Sequence, residues 1–332
     1  MSNFIIQGGK ELKGVIRTNS AKNSAVAILC ATPRIKGKTV LIDVPIIEEV
    51  KRIIEILSSI GLKIKWVNEN KLEIANNGNI DLKNLNKNSF KKIRSSILLI
   101  GSLATIFPDF SLPKPSGCKL GKRTVNPHII ALKHFGISVA SFNNKLSIQR
   151  SEIKGADFTM YESGDTATEN AIFAAVLAKG KTRINFASSN YQVQDLCYFL
   201  LKAGAKIKNI GSSMLEIDGV DKLKQVKNYP IMPDPIESMA FISIAITTNS
   251  RLKITNCPQE FLSLEIEKLK IMGQKIIISP AYKSANGKYD LVDLEIIPSK
   301  LKALPDKIYG RPFPGLNIDN LPLFVPILTQ AR

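Results

Sequence analysis

A chain of 332 residues, 44% hydrophobic and 22% charged, has the composition of a soluble globular protein and is too long for one ordinary core, so two domains are expected. Its formal charge of +18 is spread through nearly every segment, without a groove-reading motif or an aromatic stacking platform, which argues against a nucleic-acid partner and for small anionic substrates. Four cysteines at 30, 118, 197 and 257, with two histidines, form no zinc pattern and are expected to be reduced thiols; the residues call for no metal and no cofactor. The longest apolar stretch, 97–107, is about half of a bilayer span, and the first residues lack the long apolar core of an export signal, so a cytoplasmic protein without a membrane segment is expected.

In chain order, two helix types alternate. The first is short and apolar on all sides, at 22–31, 94–105, 169–178 and 237–247, and such a helix must be buried between other elements. The second is amphipathic, ends in glycine and runs at once into a short alternating strand, at 49–64, 127–139, 193–207 and 262–277. The closing glycines, Gly61, Gly136, Gly204 and Gly273, follow one another at intervals of 75, 68 and 69 residues. A period near 70 describes a βα unit rather than a solenoid repeat.

A loop at 116–123 interrupts the second unit. It sets Cys118 between Gly117 and Gly121, with Lys114, Lys119, Lys122 and Arg123 within five residues. Adjacent cations favour a thiolate, and glycines make an exposed excursion, so Cys118 is the chain's candidate reactive thiol. At the other end, 321–330 starts a fifth apolar helix and the sequence stops at Arg332, before the strands that would cover it. An uncovered apolar face predicts a poorly soluble or oligomeric chain.

Five segments together resemble the enolpyruvyl transferase family. Ser20, Ala21, Lys22, Asn23 and Ser24 resemble its S-A-K-N-A start; 90–96 (FKKIRSS) its K-x-x-R-A-S element; 115–128 its P-G-G-C-x-I-G-x-R-P-V-D-L-H stretch; 231–238 (IMPDPIES) its P-D-R-I-E crossing; and 313–330 its F-P-T-D-x-Q region. The resemblance covers the whole chain. It implies an α/β fold of two domains, each an inside-out barrel of three βαβαββ units with the last units incomplete here, divided as 22–229 and 1–21 plus 230–332. It also implies transfer of the 1-carboxyvinyl group from phosphoenolpyruvate to the 3'-hydroxyl of UDP-N-acetylglucosamine, the first committed step of peptidoglycan synthesis.

Site residues carry over one by one. Lys22 and Asn23 would bind phosphoenolpyruvate, and Cys118 would donate the proton and be the target of the epoxide fosfomycin. Asp319 would take the proton of the sugar hydroxyl. Arg94, Arg123, Thr124, Val125, Asn126 and Pro127 would line the substrate site with the loop Gly164, Asp165, Thr166 and Ala167. The chemistry agrees: adding a hydroxyl to C2 of an enol ether needs an acid over C3 and fixed cations around phosphate and carboxylate.

Several positions depart from the family pattern. Pro235 replaces its arginine, Asn126 and Pro127 replace its aspartate and leucine, and 189–192 (SNYQ) replaces R-E-P-E. Arginines that clamp phosphoenolpyruvate in the family lie beyond the last residue given, so low activity is expected of these 332 residues. The competing readings are a sugar-nucleotide-binding protein of the same fold that no longer catalyses, and the shikimate branch of the family, which needs no loop cysteine.

Overall fold

A computed structural model describes residues 3–115 and 124–331. The chain forms two compact units, Ser20–Ile231 and a second made of Met1–Asn19 with Met232–Arg332. The helices, in chain order, are α1 (Lys22–Ala31), α2 (Glu48–Ser59), α3 (Lys87–Lys92), α4 (Leu99–Ala104), α5 (Asn126–Lys133), α6 (Asp165–Ala175), α7 (Tyr191–Lys202), α8 (Pro235–Thr247), α9 (Ser263–Ile271) and α10 (Leu321–Leu328). The first seven belong to the larger unit.

Among its described residues the larger unit has three sheets, one for each repeat. In spatial order they are Tyr229–Pro230, Gly37–Ile42, Lys71–Asn76 and Lys63–Trp66; then Asp109–Pro113, Lys145–Arg150 and Ile137–Phe142; then Lys206–Lys208, Met214–Asp218, Lys181–Asn185 and Asp157–Thr159. Most pairs are antiparallel, but Asp157–Thr159 joins Lys181–Asn185 in parallel, and Tyr229–Pro230 joins the first repeat's sheet in parallel. That last pairing ties the end of the unit to its beginning. The strands alternate in burial, with Leu72 and Ile74, Leu146 and Ile148, and Leu215 and Ile217 facing the core. Such alternation is expected of sheets with one wet face.

The all-apolar helices fill the middle. In α1 every residue from Ser24 to Ala31 is buried, as are all six residues of α4 and the run 167–175 of α6. They pack on one another and on α7, while the amphipathic α2 turns only Val50, Ile53, Ile56 and Leu57 inward. The glycine that ends each amphipathic helix is left-handed: φ is 112° at Gly61, 75° at Gly136, 96° at Gly204 and 88° at Gly273. At Gly61 a Cβ would stand 2.5 Å from the Asn79 carbonyl oxygen, so both conformation and space demand glycine.

The smaller unit repeats the theme once. Lys13–Arg17 runs parallel to Arg251–Pro258, which pairs antiparallel with Asp290–Ile297, and Lys275–Ile278 lies on the far edge. Helix α8 packs on this sheet and on α10. In α10, Phe324 and Ile327 are buried, whereas Val325 and Leu328 are exposed.

Boundaries differ from the sequence reading by two or three residues at α7, α8 and α10, and by more in two places. The helix expected over 94–105 is a 3-10 turn, Ser95–Leu98, followed by the short α4. The one expected from 169 begins four residues earlier, at Asp165, because Gly164 is extended and can serve as its N-cap.

Candidate active site

Three hydrogen-bonded groupings of the larger unit carry the expected site residues. The first is at the start of α1. Ala21 is extended and donates no side chain to cap the helix, so the first turn presents Lys22 and Asn23. Lys22 Nζ lies 3.0 Å from Glu49 Oε2 of α2, and Glu49 Oε1 accepts the Ser95 hydroxyl hydrogen at 2.5 Å. Asn23 Nδ2 donates to the hydroxyl of the fully buried Tyr191, at the start of α7, over 2.9 Å. A cation and an amide are thereby held at one helix N-terminus, an arrangement that suits an anion.

The second grouping joins Arg94 to the start of α5. Arg94 Nη2 donates to the Thr124 carbonyl at 3.1 Å, and the Asn126 amide donates to Thr124 Oγ1 at 3.3 Å. Val125 packs against the core, and Pro127 occupies the first turn of α5, where its missing N–H costs no intrahelical bond. The same explanation covers Pro235. It opens α8, whose N-cap Asp234 accepts from the amides of Ile236 and Glu237 at 2.8 and 3.4 Å.

The third grouping is the start of α6. Asp165 accepts from Ser188 Oγ at 2.5 Å and from Asn190 Nδ2 at 3.0 Å, and Thr168 Oγ1 accepts the Ser188 amide at 3.0 Å. The 188–190 run is thus braced against the Gly164–Ala167 loop by neutral donors to one aspartate. Thr166 Oγ1 lies 3.5 Å from Nε2 of the buried His128.

Asp319 belongs to the smaller unit, where it is exposed in the turn before α10 and its amide donates to Asn317 Oδ1 at 2.9 Å. Its neighbour Asn320 is fully buried and donates to Glu265 Oε1 at 2.8 Å. Cys118 and Arg123 lie outside the described residues.

Electrostatics separate the thiols. Burial pushes the Cys30 thiol well up, with Glu169 and Glu49 adding to it, and pushes Cys197 up with help from Glu169. Burial also pushes Cys257 up to about 11. All three are inert thiols at neutral pH. The Glu169 carboxyl, fully buried in α6, is held well above the carboxylate range by burial and then by Asp165. Among the described residues, no His, Cys, Asp and Glu side chains gather as a metal ion would need, and no helix is long and apolar enough to cross a membrane.

Sequence reasoning missed Glu49, Tyr191, His128 and Asp165's bracing role. His128 closes the segment read as resembling R-P-V-D-L-H, which was its available signal.

The sequence profile of the EPSP synthase (3-phosphoshikimate 1-carboxyvinyltransferase) family matches residues 6–310. The chain belongs to the enolpyruvyl transferase family. Within it, the chain is 32% identical over 331 residues to "UDP-N-acetylglucosamine 1-carboxyvinyltransferase 1" of Legionella pneumophila, covering 99% of this chain and 63% of that protein. It is 31% identical to the UDP-N-acetylglucosamine 1-carboxyvinyltransferase of Bacteroides fragilis, covering 100% of this chain and 76% of the relative. The chain therefore spans about two thirds to three quarters of these enolpyruvyl transferases. Among solved structures, the enolpyruvyl transferase NikO from Streptomyces tendae superposes with a TM-score of 0.82 at 18% identity, over 98% of this chain and 75% of that one. EPSP synthase from Acinetobacter baumannii superposes at 0.70 with 17% identity, over 97% and 71% of the two chains. The shared architecture is that of enolpyruvyl transferases.

Proposed function

We propose that the chain transfers the 1-carboxyvinyl group of phosphoenolpyruvate to the 3'-hydroxyl of UDP-N-acetylglucosamine, releasing phosphate, as a cytoplasmic step of peptidoglycan synthesis. What carries this reading is that Arg94 and the Gly164–Ala167 loop, which the family resemblance puts on the sugar-nucleotide side, and the Thr124–Pro127 segment, read as lining the substrate site, are linked through hydrogen bonds and His128 in one unit of a chain whose relatives bear that name.

In the proposed reaction the sugar oxygen bonds to C2 of phosphoenolpyruvate as Cys118 gives its proton to C3. Asp319 takes the proton of the attacking hydroxyl. The tetrahedral adduct then loses a C3 proton and expels phosphate, restoring the double bond on the sugar ether. Lys22 and Arg123 supply cations for the phosphate and carboxylate of phosphoenolpyruvate, which a closed, low-dielectric site makes effective.

A binding protein that has given up catalysis is the second reading. Asn190 and Gln192, standing where the family motif has acids, and Pro235 favour it. Phosphate release from phosphoenolpyruvate separates the two. Slow release that depends on UDP-N-acetylglucosamine and disappears in Cys118→Ala supports transfer; nucleotide binding with no release supports the second reading.

A further inference from the structure

Asn170 of α6 fixes the protonation of His128. Its Oδ1 accepts the Gly101 amide hydrogen at 2.8 Å, and its Nδ2 lies 3.2 Å from the Ile97 carbonyl oxygen. A backbone N–H can only donate and a carbonyl can only accept, so the orientation of the amide is set by its neighbours. The Asn170 amino group therefore faces His128 Nδ1, 2.8 Å away, and Nδ1 must be the lone-pair nitrogen. The imidazole hydrogen is then on Nε2, directed at Thr166 Oγ1.

We propose that His128 is a positioning residue of the sugar-nucleotide site: as a neutral Nε2–H imidazole it donates to Thr166 Oγ1, leaving the Thr166 hydroxyl hydrogen to be given to a phosphate or other acceptor oxygen of the ligand. This rests on the sugar-nucleotide reading above. The surroundings agree with a neutral ring. His128 is 4% exposed, and burial and then the nearby Arg94 guanidinium lower its pKa to about 4. Among the described residues, the polar and charged side chains that face it are Asn170 and Thr166 from α6 and Arg94 from the turn before α4. A charged ring would set an N–H against the Asn170 amino group and a second cation against Arg94. Thr166, half-buried at the start of α6, accepts the imidazole hydrogen on one hydroxyl lone pair and keeps its own hydrogen to donate.

Two measurements on the full 332-residue chain test this. With only two histidines, the His134→Gln variant labelled with nitrogen-15 reports His128 alone. At pH 7 its Nε2 should have the shift of a protonated nitrogen and Nδ1 that of a bare one; the opposite tautomer or an imidazolium overturns the proposal. The second is equilibrium binding of UDP-N-acetylglucosamine. Thr166→Val and His128→Asn should each weaken it roughly tenfold. The double variant should be no weaker than either single one, and His128→Gln, which can still offer an N–H toward Thr166, should recover most of the loss. Additive losses, or wild-type affinity in Thr166→Val, would overturn the role. Failure of the wild-type chain to bind would instead refute the sugar-nucleotide reading, leaving the tautomer result to stand separately.

Discussion

Lys22 and Glu49 form an ion pair of 3.0 Å between the start of α1 and the first turn of α2. Both side chains keep solvent contact, at 43% and 26% exposure, so the pair adds little stability, of the order of 0–1 kcal/mol. Its use is geometric: it holds an ammonium group at a helix N-terminus. Lys22→Ala should weaken phosphoenolpyruvate binding by roughly 10- to 100-fold, the size of a charge-assisted hydrogen bond. Glu49→Gln should leave the unfolding free energy within about 1 kcal/mol of wild type. Calorimetric titration and urea unfolding of the two variants check these outcomes.

The cysteines should differ in reactivity. Cys30, Cys197 and Cys257 are buried, and burial raises the pKa of each thiol. Cys118, among cations in sequence, should be alkylated first by iodoacetamide at neutral pH, and fosfomycin should add to it selectively. Peptide mass spectrometry reads both, and equal labelling of all four removes the case for a catalytic cysteine.

Two buried groups set opposite pH dependences. The folded pKa of Glu169 is raised, so its contribution is greatest below the unfolded value near 4.5 and is lost as pH rises above it. For His128 the folded value is lowered to about 4, so its contribution is present above about 6.5 and lost as pH falls toward 4. Above about 4.5 the two slopes oppose each other, and the His128 contribution is complete above about 6.5. Glu169→Gln should therefore gain on wild type as pH rises above about 4.5, by up to about 1.4 kcal/mol per pH unit. Urea unfolding at several pH values checks this, and parallel curves for the two proteins would contradict it.

Helices closed by Gly61, Gly136, Gly204 and Gly273 were legible in the sequence because the signal is local: an amphipathic face, a left-handed residue and a two-residue alternation lie within about 16 positions. Local signals also marked Lys22 and Asn23 at a helix start. The bracing of the site was not legible in that way. Tyr191 meets Asn23 across 168 residues of chain, Asn170 meets His128 across 42, and Ser95 meets Glu49 across 46. Such pairs arise from the packing of α1, α2, α5, α6, α7 and the turn before α4, which no single segment encodes. The start of α6 was misplaced for a similar reason: Asp165 and Thr166 read as loop residues, yet Ser188, Asn190 and His128 secure them as a first helical turn.

Which acceptor the chain takes separates the sugar-nucleotide branch of the family from the shikimate branch. Calorimetric titration of the 332-residue protein with UDP-N-acetylglucosamine and, separately, with shikimate 3-phosphate addresses it in one experiment. One site for the sugar nucleotide, weakened by Thr166→Val, is expected, with no saturable binding of shikimate 3-phosphate. Saturable binding of shikimate 3-phosphate with none of UDP-N-acetylglucosamine would contradict the sugar-nucleotide reading.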